Sequence, residues 1–251
     1  IREKVCMTAH LFLSVCVMAD YFYIPSTPEV HLQLSETEAK HLVKVLRYKE
    51  GDIVYFTDGK GTRYTGVLES TDYYNCFARI VKEEVDFGKR NYRLHLGIAP
   101  TKNIERFEWL LEKATEIGVD EITPMICSRS ERRDLRSDRL EKILVAAMKQ
   151  SGQCILPKLN EATRFSELIK QTAEQRFICH LTPSPVGLGT ACKPGGNILL
   201  LVGPEGDFSE EELKLATEHS LTCVALGATR LRTETAGVVG CSIIAQVNRL
   251  D

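Results

Sequence analysis

Over residues 92–251, short unbroken apolar runs alternate with segments whose apolar positions recur every three or four residues. The runs at 92–99, 121–126, 177–181, 197–202 and 222–226 read as strands buried on both faces. The segments at 104–117, 138–150, 210–219 and 235–247 read as helices. Gly118 is placed to end the first of these and Ser137 to cap the second. Such alternation predicts an α/β unit, a parallel sheet covered by helices. The stretch 182–196, rich in Pro and Gly, reads as a long loop.

Before residues 85–90 the pattern changes. Short alternating strands at 51–56, 63–69 and 76–81, with the turn Asp58-Gly59-Lys60-Gly61, predict a compact β domain of barrel type. One helical stretch carries Lys40, Lys44 and Arg47 at i, i+4 and i+7, with His41 beside them, while Leu42, Val45 and Leu46 are expected to face the core.

Two segments carry the chemistry. In the first, the apolar run ending at Val202 meets a turn in which Gly203 and Gly206 bracket Pro204-Glu205, so backbone and ligand can approach closely. Ser209 and Glu212 then form a capping box, with Phe208 and Leu213 as a hydrophobic staple. In the second, Gly227 opens a loop bearing Arg230, Arg232, Thr233 and Glu234 before another apolar helix. Either turn alone is also an ordinary strand-to-helix connection. Two of them, with so many polar groups between buried elements, predict a ligand crevice at the sheet edge, because burying those groups without partners is costly. Neither turn has the Lys-Ser/Thr of a P-loop, which counts against a phosphate-binding enzyme.

Composition narrows the setting. Nine cysteines form no C-x-x-C pair and have no histidine at ligand spacing, so the reading is reduced thiols in a cytoplasmic protein, with neither a disulfide framework nor a metal site. No run reaches the length of a membrane span. A net charge of −2 excludes a general coater of nucleic acid, so RNA contact must come from local patches. One is Lys40, His41, Lys44 and Arg47. The other is Arg129, Arg132, Arg133 and Arg136, where interleaved acids leave an ordinary solvated surface as the alternative.

The two motif segments resemble the signature of the RsmE-type methyltransferases of the SPOUT superfamily. So do His41-Leu42-Val43-Lys44-Val45-Leu46-Arg47 with Gly51-Asp52, the run at 105–119, and Gln150-Ser151-Gly152. The chain departs from the family pattern at Gln153 (commonly Arg), Asp207 (commonly Gly) and Ala228-Thr229 (commonly Pro-Arg). The resemblance implies S-adenosylmethionine as cofactor and methylation of N3 of one uridine in 16S rRNA of the small ribosomal subunit. It also implies a homodimer, with a PUA-like barrel at 18–88 and a SPOUT domain at 89–251 whose parallel sheet carries a trefoil knot. The family's usual opening aligns at Met18, so residues 1–17 are expected to be a disordered or non-native extension.

The cofactor is expected to lie on His180, Leu181, Thr182, Leu201, Val202, Gly203, Pro204, Glu205, Gly206, Leu226, Gly227, Leu231, Arg232 and Thr233. Arg232, ahead of Arg230, is the expected stabiliser of a uracil anion. Glu234 or Glu205 is expected to take the proton, or else to orient Arg232 or cap a turn; His41 is the alternative base. The rival readings are a methyltransferase for another rRNA or tRNA nucleoside, and a non-catalytic ribosome-assembly factor.

Overall fold

In the computed structural model, which describes residues 21–181 and 186–249, two sheets follow one another along the chain. The expectations for residues 1–17 and for Thr182 lie outside the described residues. The first unit comprises β1 (Tyr21–Tyr23), β2 (His31–Gln33), α1 (Glu36–Lys40) running into a π-helical turn (His41–Val45), β3 (Ile53–Thr57), β4 (Arg63–Ser70) and β5 (Phe77–Glu84). The second comprises β6 (Tyr92–Ile98), α2 (Ile104–Ile117), β7 (Glu121–Ile126), α3 (Ser137–Ser151), β8 (Lys158–Leu159), β9 (Thr163–Arg164) and α4 (Phe165–Leu168). It continues with β10 (Gln175–Cys179), β11 (Val186–Gly187), α5 (Leu188–Ala191), β12 (Gly196–Val202), α6 (Glu210–Glu218), β13 (Thr222–Ala225) and α7 (Thr233–Val247).

The first sheet has the order β1-β3-β4-β5-β2, with β1 parallel to β3 and the other pairs antiparallel. Strands β1 and β2 end the hydrogen-bonded order among the described residues, and the five strands curl into the compact β unit that was expected. Phe22, Leu42, Val54, Phe56 and Leu68 fill its core. Val45, expected in that core, is 63% exposed. The cause is the π turn, in which Leu46 N–H donates to the His41 carbonyl five residues back; the wider turn swings position 45 outward while Leu42 stays buried.

The second sheet is parallel throughout, in the order β11-β13-β10-β12-β6-β7-β8, with β9 also beside β7. Strand β12 explains its own unbroken apolar run. Ile198, Leu200 and Val202 join the cluster containing the α2 residues Leu110 and Leu111, while Leu199 and Leu201 join the one containing Phe165 and Ala216. Gly118, in the left-handed region at φ 101°, ends α2 as expected. Ser137 does not cap α3; it is the first helical residue, and Arg136 holds the cap position. The stretch read as a long loop contains β11 and α5. Among the described residues no helix is long and apolar enough to cross a membrane.

Candidate active site

Three loops leave the carboxyl edge of the second sheet together, after β10, β12 and β13. Strand β10 lies between the other two, so the strands bearing the motifs are not neighbours and His180-Leu181 forms a third wall. The loops enclose a cavity of about 520 Å³. Of the expected cofactor residues, Leu181, Val202, Gly203, Pro204, Glu205, Gly206, Leu226, Gly227, Leu231, Arg232 and Thr233 line it, as do His180 and Arg230.

The loop after β12 is tightly specified. A Cβ on Gly203 would stand 2.9 Å from the Phe208 ring, which is buried and packs on Phe165 at 5.4 Å between centroids. Asp207 takes the left-handed conformation, φ 61°, which glycine enters freely and Asp tolerates better than most residues. Its Oδ1 accepts from the Phe208 N–H at 2.8 Å, and its Oδ2 lies 3.0 Å from His180 Nδ1. The capping box is present: Ser209 Oγ accepts from Glu212 N–H at 3.2 Å and Glu212 Oε2 from Ser209 N–H at 2.8 Å.

In the loop after β13, Arg230 and Arg232 are exposed and make no hydrogen bond or ion pair among the described residues. Arg232 sits at the N-cap of α7, where its own charge adds to the positive end of the helix. Thr233 turns inward, and its hydroxyl donates to the Gly203 carbonyl at 3.1 Å.

Two expected site residues lie away from the cavity, and a third is engaged at its rim. Leu201 is fully buried and packs away from the cavity, because alternate residues of β12 face opposite layers. Glu205 lines the cavity, but its Oε1 accepts from the Lys102 N–H at 3.0 Å, the loop-capping alternative. Glu234 does not line the cavity. Helix α7 begins at Thr233, two residues earlier than the pattern suggested, which turns Glu234 onto the face packed against α2. It is buried, 3.8 Å from Arg106 Nε, and its Oε2 has no hydrogen-bond partner among the described residues. It opens instead on a separate hollow of about 430 Å³ with Asn103, Glu105, Arg106, Trp109 and Thr235.

The basic residues divide as well. Lys40 pairs with Glu36, Lys44 lies 5.0 Å from the Tyr73 ring centroid, and Arg47 has φ 62°. His41 borders a hollow of about 660 Å³ between the first unit and α3, with Tyr21, Lys142 and Lys149. Arg129 donates to the carbonyls of Gly206 at 2.8 Å and Phe208 at 3.2 Å, and Arg132 to those of Thr101 at 3.2 Å and Lys102 at 2.8 Å. Both therefore brace loops. Arg133 is exposed without a partner among the described residues, and Arg136 reaches Asp138 at 3.4 Å on the surface. The His180–Asp207 contact was not foreseen; the signal was Asp207 itself, the acid standing where the family pattern has Gly.

Residues 88–245 match the family model of the RNA methyltransferase domain, more than half of the chain. The chain belongs to the RNA methyltransferase family. Residues 34–80 match the model of the RNA methyltransferase PUA domain. Among relatives of this family member, ribosomal RNA small subunit methyltransferase E of Aquifex aeolicus is 28% identical over 222 residues, covering 85% of this chain and 93% of that one. The crystal structure of a probable rRNA-methyltransferase from Porphyromonas gingivalis shares 36% identity over 91% of this chain and 98% of that one, with a TM-score of 0.84. The small subunit methyltransferase E of Neisseria gonorrhoeae, bound to S-adenosyl methionine, shares 27% over 92% and 98%, with a TM-score of 0.83. The methyltransferase resemblance read from the motif pair thus holds for both units.

Proposed function

We propose that this chain methylates N3 of a uridine in the 16S rRNA of the small ribosomal subunit, with S-adenosylmethionine as methyl donor. The observation that carries this reading is the cavity of about 520 Å³ walled by the loops after β10, β12 and β13. Its kinship to the Neisseria chain that binds the donor supports it.

The residues fit the donor. The volume lies within the usual range for small-ligand sites. Val202, Leu226 and Leu231 offer apolar faces to an adenine, and the loop backbone at Gly203–Gly206 and Leu226–Gly227 offers polar groups to its edges. A Cβ on Gly227 would meet no atom within 4 Å, so the wall there stays open for a ligand. When bound, the donor supplies a methyl group on a positively charged sulfur; this chain supplies orientation and charge control.

Uridine N3 carries a proton and is a poor nucleophile until it leaves. If its pKa stands roughly two units above neutrality, ionising it costs about 2.7 kcal/mol. Arg232, at the start of α7 and without another partner among the described residues, offsets a cost of that size by stabilising the uracil anion. Lys40, His41, Lys44, Arg47, Arg133 and Arg136 serve as phosphate contacts, while Arg129 and Arg132 act mainly by holding the loops.

The same reading includes the trefoil knot in the second sheet, a cytoplasmic setting, and a domain boundary between residues 88 and 89. It also includes a homodimer seated on α2 and α7. The half-exposed Trp109 and the unpartnered Glu234 Oε2 on those helices support the last of these.

Calorimetry with S-adenosylmethionine, followed by methylation of small-subunit RNA or particles and mapping of the product by mass spectrometry, tests the proposal. Uptake of the donor and a single N3-methylated uridine are expected, with free uridine left unmodified. Absence of donor binding by folded protein overturns it.

A further inference from the structure

Resting on the N3 reading above, we propose that His180 takes the uracil N3 proton and that Asp207 is its positioning residue. Arg232 can stabilise the anion but, being permanently protonated, cannot receive the proton. Four groups that can accept one line the cavity: Cys179, His180, Glu205 and Asp207.

Three of the four are unsuited. Burial pushes the Cys179 thiol far up, with Cys241 adding to the effect, so its thiolate is inaccessible near neutral pH. Glu205 is engaged by the Lys102 N–H. Asp207 has both oxygens occupied, one by the Phe208 N–H and one by His180.

His180 has the opposite arrangement. With Nδ1–H donating to Asp207 Oδ2 across 3.0 Å, Nε2 is the basic nitrogen, and it has no partner among the described residues. The side chain is 22% exposed, at the wall of the cavity. An imidazole held by a carboxylate through one nitrogen, with the other open to substrate, is the geometry of a general base; the carboxylate selects the tautomer and stabilises the imidazolium that forms. Arg230 and Arg232 are the cations on the same cavity, and Glu205 the remaining acid. The pairing depends on Asp207, which stands at a position where the family pattern commonly has Gly.

The step balances with the methyl donor as its one co-reactant. The N3–H bond breaks and its proton passes to His180 Nε2, while the electron pair stays on N3. That pair forms the new N3–methyl bond as the carbon–sulfur bond breaks, its electrons leaving with sulfur. The imidazolium then returns its proton to water.

The test is single-turnover methylation across a pH series, with donor affinity measured in parallel by calorimetry. His180→Gln is expected to lose about 10²-fold or more in rate near neutrality. The loss should shrink as pH rises and uracil ionises unaided, with donor affinity falling far less than the rate. His180→Asn replaces the Gln variant should the latter melt early. Asp207→Gly is expected to lose less than His180→Gln and to share its pH signature. A loss that is the same at every pH, a parallel loss of donor affinity, or no loss at all overturns the proposal. A wild type that binds no donor, or methylates a position other than N3, defeats the underlying reading and this inference with it. A wild type that methylates N3 beside a variant without the pH signature defeats the role of His180 alone.

Discussion

Thr233 Oγ1 donates to the Gly203 carbonyl oxygen across 3.1 Å, joining the start of α7 to the turn after β12. This one bond links the two motif loops whose strands are separated by β10. Thr233→Val keeps the shape and leaves the carbonyl without that donor. A hydrogen bond of this kind is worth about 0.5–1.5 kcal/mol, so donor affinity measured by calorimetry should fall roughly two- to twelvefold.

Arg232→Ala should lower turnover by about 10²–10³-fold, the cost of removing one preorganised donor to a developing anion. Affinity for S-adenosylmethionine should change far less. Measuring both constants decides the matter: equal losses would make Arg232 a cofactor ligand.

Arg129 and Arg133 should behave oppositely. Arg129→Ala releases two carbonyls of the loop after β12 and should lower both the melting temperature and donor affinity. Arg133→Ala removes an exposed charge, so stability should stay within about 0.5 kcal/mol. RNA binding should weaken, with the salt dependence of affinity reduced by about one phosphate contact. Paired melting and RNA-titration experiments separate the two.

Burial pushes the pKa of His95 below its ordinary value of 6.5, with Glu121 opposing and Arg93 and Lys158 reinforcing the shift. Its Nε2 lies 2.7 Å from Thr123 Oγ1. As pH falls below 6.5 the unfolded chain takes up a proton that the folded state resists, so stability is full above that value and declines beneath it. The melting temperature of the wild type should drop between neutral and mildly acid buffer, and that of His95→Gln should drop less over the same interval.

Much of the site was legible because its signals are local. Unbroken apolar runs mark strands buried on both faces, Gly203 and Gly206 mark where backbone must come close, and Ser209 with Glu212 marks a helix start. What escaped depended on phase or on distant partners. A regular 3.6-residue period placed Val45 inward, and the π turn moved it out. A shift of two residues in the start of α7 took Glu234 from the cavity to α2. Arg129 and Arg132 read as free cations because their carbonyl partners lie 77–79 and 30–31 residues away along the chain.

The place of β10 has a consequence for assembly. Because it stands between β12 and β13, the two motif loops face one cavity only when both strands are seated on it. Recognition of the methyl donor is therefore a property of the completed sheet, and a chain shortened before Thr222 should show no graded remnant of it. Donor capture would serve as a reporter of finished folding.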